Sequence, residues 1–189
     1  MIQNVLCFLE ESAEAYPHKT AFADEHTSLT YRRLSDLSMR IGSVLGQKTG
    51  PRRPVPVLAE KNVFTLTAFM GIVRAGCFYV FLDAGQPAER LNRILDTLQA
   101  DLMIADKESL SLAGPVSFSG EILPLEDLMS LPDDALNPGL LASIRRQSTD
   151  TDPLYGIFTS GSTGVPKGVV ASHRSVSEII GHITDLFHI

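Results

Sequence analysis

Cysteine is scarce, with Cys7 and Cys77 the only two among 189 residues and no CxxC or Cys/His ligand spacing between them. That pattern excludes a disulfide framework and a cysteine-based zinc site, and it fits reduced thiols in a cytoplasmic protein. Basic clusters are also missing. Nothing exceeds the pairs Arg52-Arg53 and Arg145-Arg146, and the net charge is −6, so the electrostatic footprint of a nucleic-acid binder is absent. No apolar run is long enough to cross a bilayer. The segment MIQNVLCFLEESAEAY has no basic leader and carries Glu10, Glu11 and Glu14 within a helical pattern, which is not how a signal peptide reads. There is no internal repeat or low-complexity tract. His18, His26, His182 and His188 show no metal-ligand spacing, so no metal site is expected within the chain.

What is present is the composition of an ordinary globular domain, or part of one, at 44% hydrophobic and 20% charged. Apolar positions recur at helical spacing in three places: Leu34, Leu37, Ile41, Val44 and Leu45; Val63, Leu66, Met70 and Val73; and Leu91, Ile94, Leu95 and Leu98. Between them lie short β-rich runs, Thr20 to Asp24, Val55 to Ala59, Cys77 to Phe81 and Leu102 to Ala105. Alternating strands and helices predict an α/β fold, with crossover connections and a largely parallel, layered sheet. Thr30, Asn62 and Gln86 before Pro87 are suited to begin helices. Pro56 predicts that its strand is irregular or at an edge. Gly42 and Gly46 predict close helix packing.

The 106–153 stretch, punctuated by Pro115, Pro124, Pro132, Pro138 and Pro153, reads as an irregular segment of short strands and loops with a short helix near Leu125 to Met129. Farther on, Val176, Ile179, Ile180, Ile183 and Phe187 form an amphipathic helix with no glycine stop. Its apolar face is expected to be covered by something, either further chain or an oligomeric partner.

The most informative residues are Thr159 to Gly168, TSGSTGVPKG. Four hydroxyls, on Thr159, Ser160, Ser162 and Thr163, alternate with Gly161 and Gly164, whose backbone N–H groups can approach an anion closely. Lys167 adds a mobile ammonium suited to the outer oxygens of a polyphosphate. A Walker loop would run Gly-Lys-Ser/Thr into a helix. Here Pro166 precedes the lysine, Gly168 follows it, and apolar runs at Leu154 to Phe158 and Val169 to Ala171 flank the loop as strands. The 159–168 segment is therefore read as a phosphate-binding loop joining two strands, and a P-loop NTPase is disfavoured. A flexible polar surface loop is the plainer alternative.

At these residues the chain resembles the adenylate-forming, AMP-binding enzymes, whose signature is a Ser/Thr/Gly-rich loop ending in Pro-Lys-Gly. LTYRRL at Leu29 to Leu34, VRAGCFYVFLD at Val73 to Asp83 and QPAERLNRIL at Gln86 to Leu95 resemble further elements of the same family, in the same order. The Ser-Gly-Ser-Thr-Gly form looks most like amino-acid-activating members, meaning nonribosomal peptide synthetase adenylation domains and D-alanine:carrier-protein ligases. Acyl-CoA synthetases come second.

That resemblance implies ATP-dependent activation of a carboxylic acid, with an amino acid such as D-alanine as the leading substrate. The products are an acyl-adenylate and pyrophosphate, and the acyl group then passes to a carrier-protein phosphopantetheine thiol or to coenzyme A. ATP with Mg2+ is the implied cofactor. Thr159, Ser160, Gly161, Ser162, Thr163, Gly164 and Lys167 are implied to hold the phosphates, and His173 is a further candidate, although a histidine at a helix start is more often a satisfied polar residue. The resemblance also implies that residues 1–189 are an incomplete N-terminal portion of an adenylation domain, with no catalytic residue inside the chain and the adenylation lysine beyond residue 189. The isolated piece would then be inactive. A noncatalytic binding or dimerisation module is the alternative from another class. Two positions depart from the pattern, Phe81 where proline is usual and Glu178 where asparagine is common. Asp83 and Arg90 match family motifs, with a turn or cap expected of the first and an ion pair of the second.

Overall fold

The structure, a computed structural model, describes residues 4–159 and 166–187. A six-stranded sheet forms its centre, in the order β6-β5-β3-β4-β7-β8. These strands are β3 (Pro54–Leu58), β4 (Phe78–Leu82), β5 (Leu102–Ala105), β6 (Glu121–Pro124), β7 (Pro153–Thr159) and β8 (Lys167–Ser172). All neighbours pair in parallel except β8, which returns antiparallel alongside β7. A separate antiparallel pair, β1 (Thr20–Ala23) and β2 (Ser28–Thr30), precedes the sheet.

Period-two alternation divides the sheet into two packed faces. Val55, Val57, Leu102 and Ile104 point toward α2 (Tyr31–Lys48), α3 (Val63–Arg74) and α6 (Leu125–Met129), where they meet Ile41, Leu45, Ala68, Ile72 and Leu128. Leu58, Val80, Leu82, Met103 and Ala105 face the other way, onto Leu91, Ile94 and Leu95 of α4 (Ala88–Leu98). Strands buried on both faces explain why they read as near-continuous apolar runs. Each fully buried aliphatic side chain contributes roughly 1.5–3 kcal/mol.

The helices start where polar side chains can take up unpaired N–H groups. Thr30 Oγ1 accepts from Arg33 N at 3.3 Å, and Asn62 Oδ1 accepts from Phe64 N and Thr65 N at 3.0 and 3.1 Å. α4 begins one residue later than Gln86 suggested: Pro87 is its N-cap, with no side-chain cap bond. Gly42 permits the close α2/α3 contact, because a β-carbon there would collide with the β-carbon of Arg74.

Two expectations are corrected. Pro56 does not mark an edge, since β3 lies between β5 and β4. The strand tolerates the missing N–H because its paired residues with β5 are Val57 and Leu58, after the proline. The 106–153 stretch is also more regular than its prolines suggested. It holds α5 (Lys107–Leu112), β6, α6, a 3-10 turn at Asp133–Ala135 and α7 (Pro138–Gln147). Pro138 starts α7 rather than breaking it, since its absent N–H is unneeded in the first turn and Asn137 Oδ1 caps Leu140 N at 3.0 Å. The remaining elements are α1 (Leu6–Ala15), whose Leu6 packs with Val73 and Leu154, and α8 (His173–Phe187), which joins that group through Val176.

Candidate phosphate-binding site

Strand direction decides where the loop stands. Because β7 is parallel to β4, the chain leaves β7 at the carboxyl edge of the parallel strands, the edge where ligands bind in open α/β sheets. Thr159 ends β7 and Lys167 begins β8, and the two are paired across the hairpin. The Thr159 hydroxyl donates to the Lys167 carbonyl at 3.4 Å. Both side chains are exposed, and no carboxylate among the described residues pairs with the Lys167 ammonium. Ser160, Gly161, Ser162, Thr163 and Gly164 lie outside the described residues. The structure therefore brings the two ends of the predicted loop together.

The base of the hairpin is fixed from three sides. The Phe158 ring packs against the core beneath α4. Across from it, Gly168 leaves room for that ring, since a β-carbon there would stand 3.1 Å from Phe158 Cζ. The Phe158 carbonyl accepts from Arg90 Nη2 at 3.4 Å, while Arg90 Nε donates to Gln86 Oε1 at 2.8 Å. Arg90 thus serves as a hydrogen-bond anchor and not in the ion pair that was expected of it. Asp83 holds the preceding turn, accepting from Gly85 N through Oδ1 at 2.9 Å and from Gln86 N through its carbonyl at 3.0 Å. A cleft of 350 Å³ lined by Lys61, Phe81, Asp83 and Gly85 opens along the same sheet edge.

Phe81, in place of the usual proline, joins an aromatic group on the α3 side. It meets Phe69 edge-on at 6.1 Å, and Phe69 stacks on Tyr79 at 4.1 Å. The Lys61 ammonium sits 5.6 Å from the Phe81 ring centre.

His173 is not part of this assembly. It follows Ser172, which pairs with Pro153 at the far end of the hairpin. Six strand residues at about 3.3 Å each separate it from Lys167 by roughly 20 Å. Burial drives its pKa down to about 4, against the nearby charge of Asp152, with Arg145 reinforcing the shift. Its Nδ1 accepts from Val5 N at 3.4 Å, so the neutral ring ties the start of α1 to the start of α8.

Cys77 is buried, its thiol donating to the Gly50 carbonyl at 3.3 Å, and burial raises its pKa to about 11. Cys7 receives Arg145 Nη2 at 3.0 Å, and both thiols are free. Among the described residues, no group of three or more His, Cys, Asp or Glu side chains is placed to hold a metal ion, and no helix is long and apolar enough to cross a membrane.

The sequence profile of the family described as AMP-binding enzyme matches residues 9–187. The chain belongs to this family. It is 37% identical over 172 residues to surfactin synthase subunit 1 of Bacillus subtilis (strain 168), covering 90% of this chain and 4% of that protein. The AMPPNP-bound form of the nonribosomal peptide synthetase FmoA3 superposes with a TM-score of 0.83 at 26% identity, covering 98% of this chain and 19% of that one. A fatty acyl-adenylate ligase from L. pneumophila, solved with acyl adenylate and pyrophosphate, has a TM-score of 0.79 at 23% identity over 100% of this chain and 34% of its own, a likeness of fold. The chain thus spans a small part of the length of the relatives it matches.

Sequence reasoning singled out the 159–168 segment and missed the contacts that hold its first end. Arg90 and Gly168 were visible as motif residues, but nothing in their spacing linked either to Phe158.

Proposed function

We propose that this chain supplies the ATP-phosphate-binding part of an enzyme that activates a carboxylic acid as its adenylate. The leading substrate is an amino acid such as D-alanine, and the acyl group passes on to a carrier-protein or coenzyme A thiol. The observation that carries the proposal is the pairing of Thr159 with Lys167 at the carboxyl edge of the parallel sheet, with the hydroxyl- and glycine-rich loop between them. In this reading the carboxylate of the acid attacks the α-phosphorus of ATP and pyrophosphate departs. Charge then grows on the leaving oxygens, and preorganised donors stabilise it. The hydroxyls of Thr159, Ser160 and Thr163 and the N–H groups of Gly161, Ser162 and Gly164 hold phosphate oxygens, and Lys167 neutralises the β/γ end. Magnesium arrives on the triphosphate, whose oxygens suit a hard cation.

Because the chain spans 4% of one relative and 19% of another, the proposal places the acid-binding pocket and the lysine that orients the carboxylate outside residues 1–189. The 189-residue segment alone then forms no adenylate, and substrate-dependent pyrophosphate exchange above a Lys167→Ala background would refute that. The whole reading is tested by pyrophosphate exchange with the full gene product, offering D-alanine, the other amino acids, and fatty and aryl acids in turn. Exchange driven by an amino acid supports the proposal. Exchange driven only by fatty or aryl acids moves it to the acyl-CoA synthetase branch, and none with any acid leaves a noncatalytic module.

A further inference from the structure

Arg90 is a partly buried cation without a carboxylate partner among the described residues, although Glu89 and Arg93, its neighbours on α4, pair with each other. Its guanidinium goes instead to two neutral acceptors, the Gln86 side chain at 2.8 Å and the Phe158 carbonyl at 3.4 Å. The second acceptor belongs to the residue immediately before Thr159. The Phe158 ring is already held by the core beneath α4 and by Gly168, so the arginine adds the one tie on that residue's backbone from α4.

We infer that Arg90 is a positioning residue for the phosphate loop. By gripping Gln86 and the Phe158 carbonyl at once, its planar fork sets the direction in which the chain leaves β7, and hence where the Thr159 hydroxyl stands. A guanidinium can do this because its donors are fixed relative to one another, whereas an ammonium offers a point charge with no such geometry. This rests on the proposed phosphate-binding role of the loop.

The test is calorimetric titration of the full gene product with two probes, Mg-AMPPNP, which needs the loop for its β- and γ-phosphates, and AMP, which lacks both. Arg90→Met and Arg90→Lys are each expected to weaken AMPPNP about tenfold, the loss of one charge-assisted hydrogen bond. AMP affinity stays the same, and the melting temperature stays within about 3 °C of wild type. Equal losses for AMPPNP and AMP would mean a general structural role and overturn the inference. So would wild-type AMPPNP affinity in Arg90→Lys, since charge alone would then suffice.

Should the Arg90 variants fail to fold, Gln86→Ala removes only one acceptor of the fork. It is expected to weaken AMPPNP about threefold and leave AMP unchanged, and an unchanged AMPPNP affinity would count against the inference. Lys167→Ala, measured alongside, separates the two levels. If it weakens AMPPNP while the Arg90 variants do not, the inference fails and the proposed function stands. If it too has no effect, the phosphate-loop reading itself fails.

Discussion

The two ends of the sheet differ in how completely the chain covers them. Around β3, β4 and β5, apolar side chains from both faces are sealed by α2, α3 and α4, and Ile72, Ile104, Val57 and Leu91 are fully buried. At the β7–β8–α8 end, Ile157 is 51% exposed, Val170 55%, Ile179 58% and Phe187 65%. Single exposed aliphatics are ordinary on protein surfaces, whereas here large apolar side chains stand exposed along both strands of the hairpin and on the helix that follows. The comparison teaches that the first end is sealed by its own helices, whereas the second leaves much of its apolar surface open. The candidate phosphate site sits where they meet, with β4 and α4 on the packed side holding β7 in place.

Truncation should divide the two ends most sharply. Ile72→Ala and Ile104→Ala, at the sealed end, are expected to lose about 2–5 kcal/mol in urea unfolding through the cavity each creates. Val170→Ala, on the open end, should stay within about 0.5 kcal/mol. Similar losses at all three positions would erase the contrast. A packing variant comes next. Gly42→Ala pushes a methyl group into Arg74 at the α2/α3 contact, and about 1–3 kcal/mol of destabilisation is expected by the same measurement.

The join between the ends is sensitive to pH. His173 has a folded-state pKa of about 4, lowered by burial, and in the unfolded chain it titrates near 6.5. Between those values the unfolded state binds a proton that the folded state excludes, so this contribution is complete above about pH 6.5 and drains away as pH falls toward 4. The slope in that window reaches at most about 1.4 kcal/mol per pH unit. His173→Gln should flatten stability between pH 6.5 and 5, and parallel wild-type and variant curves would refute the assignment. The smallest effect belongs to the surface pair Lys48–Glu121, 2.7 Å apart and largely solvated. Its loss in Lys48→Ala should cost no more than about 1 kcal/mol and vanish in high salt.

The sheet was legible in the sequence because its strands are short apolar runs bounded by helices with clear 3.6-residue periodicity. Leu102–Ala105 and Leu125–Met129 match residue for residue. Position within the sheet was harder to read. Pro56 reads as an edge signal because proline lacks a ladder donor, yet its strand is central and the pairing with β5 simply starts one residue later. α7 was hidden for a related reason, since Pro138 counts as a breaker unless the residue before it can cap the helix, as Asn137 does. At the site, the hydroxyls, glycines and lysine stood out by composition. The three-way clamp on Phe158 did not, because it links residues 68 positions apart in sequence, a separation that no local pattern encodes. His173 attracted attention by its place after the loop strands, but the antiparallel return of β8 carries it to the opposite edge.

The most direct test of the central claim is the affinity of the full gene product for Mg-AMPPNP, measured by calorimetry before and after Lys167→Ala. The account predicts a loss of about tenfold or more, with AMP affinity unchanged, because the lysine meets only the outer phosphates. Equal AMPPNP affinity in the two proteins would contradict it.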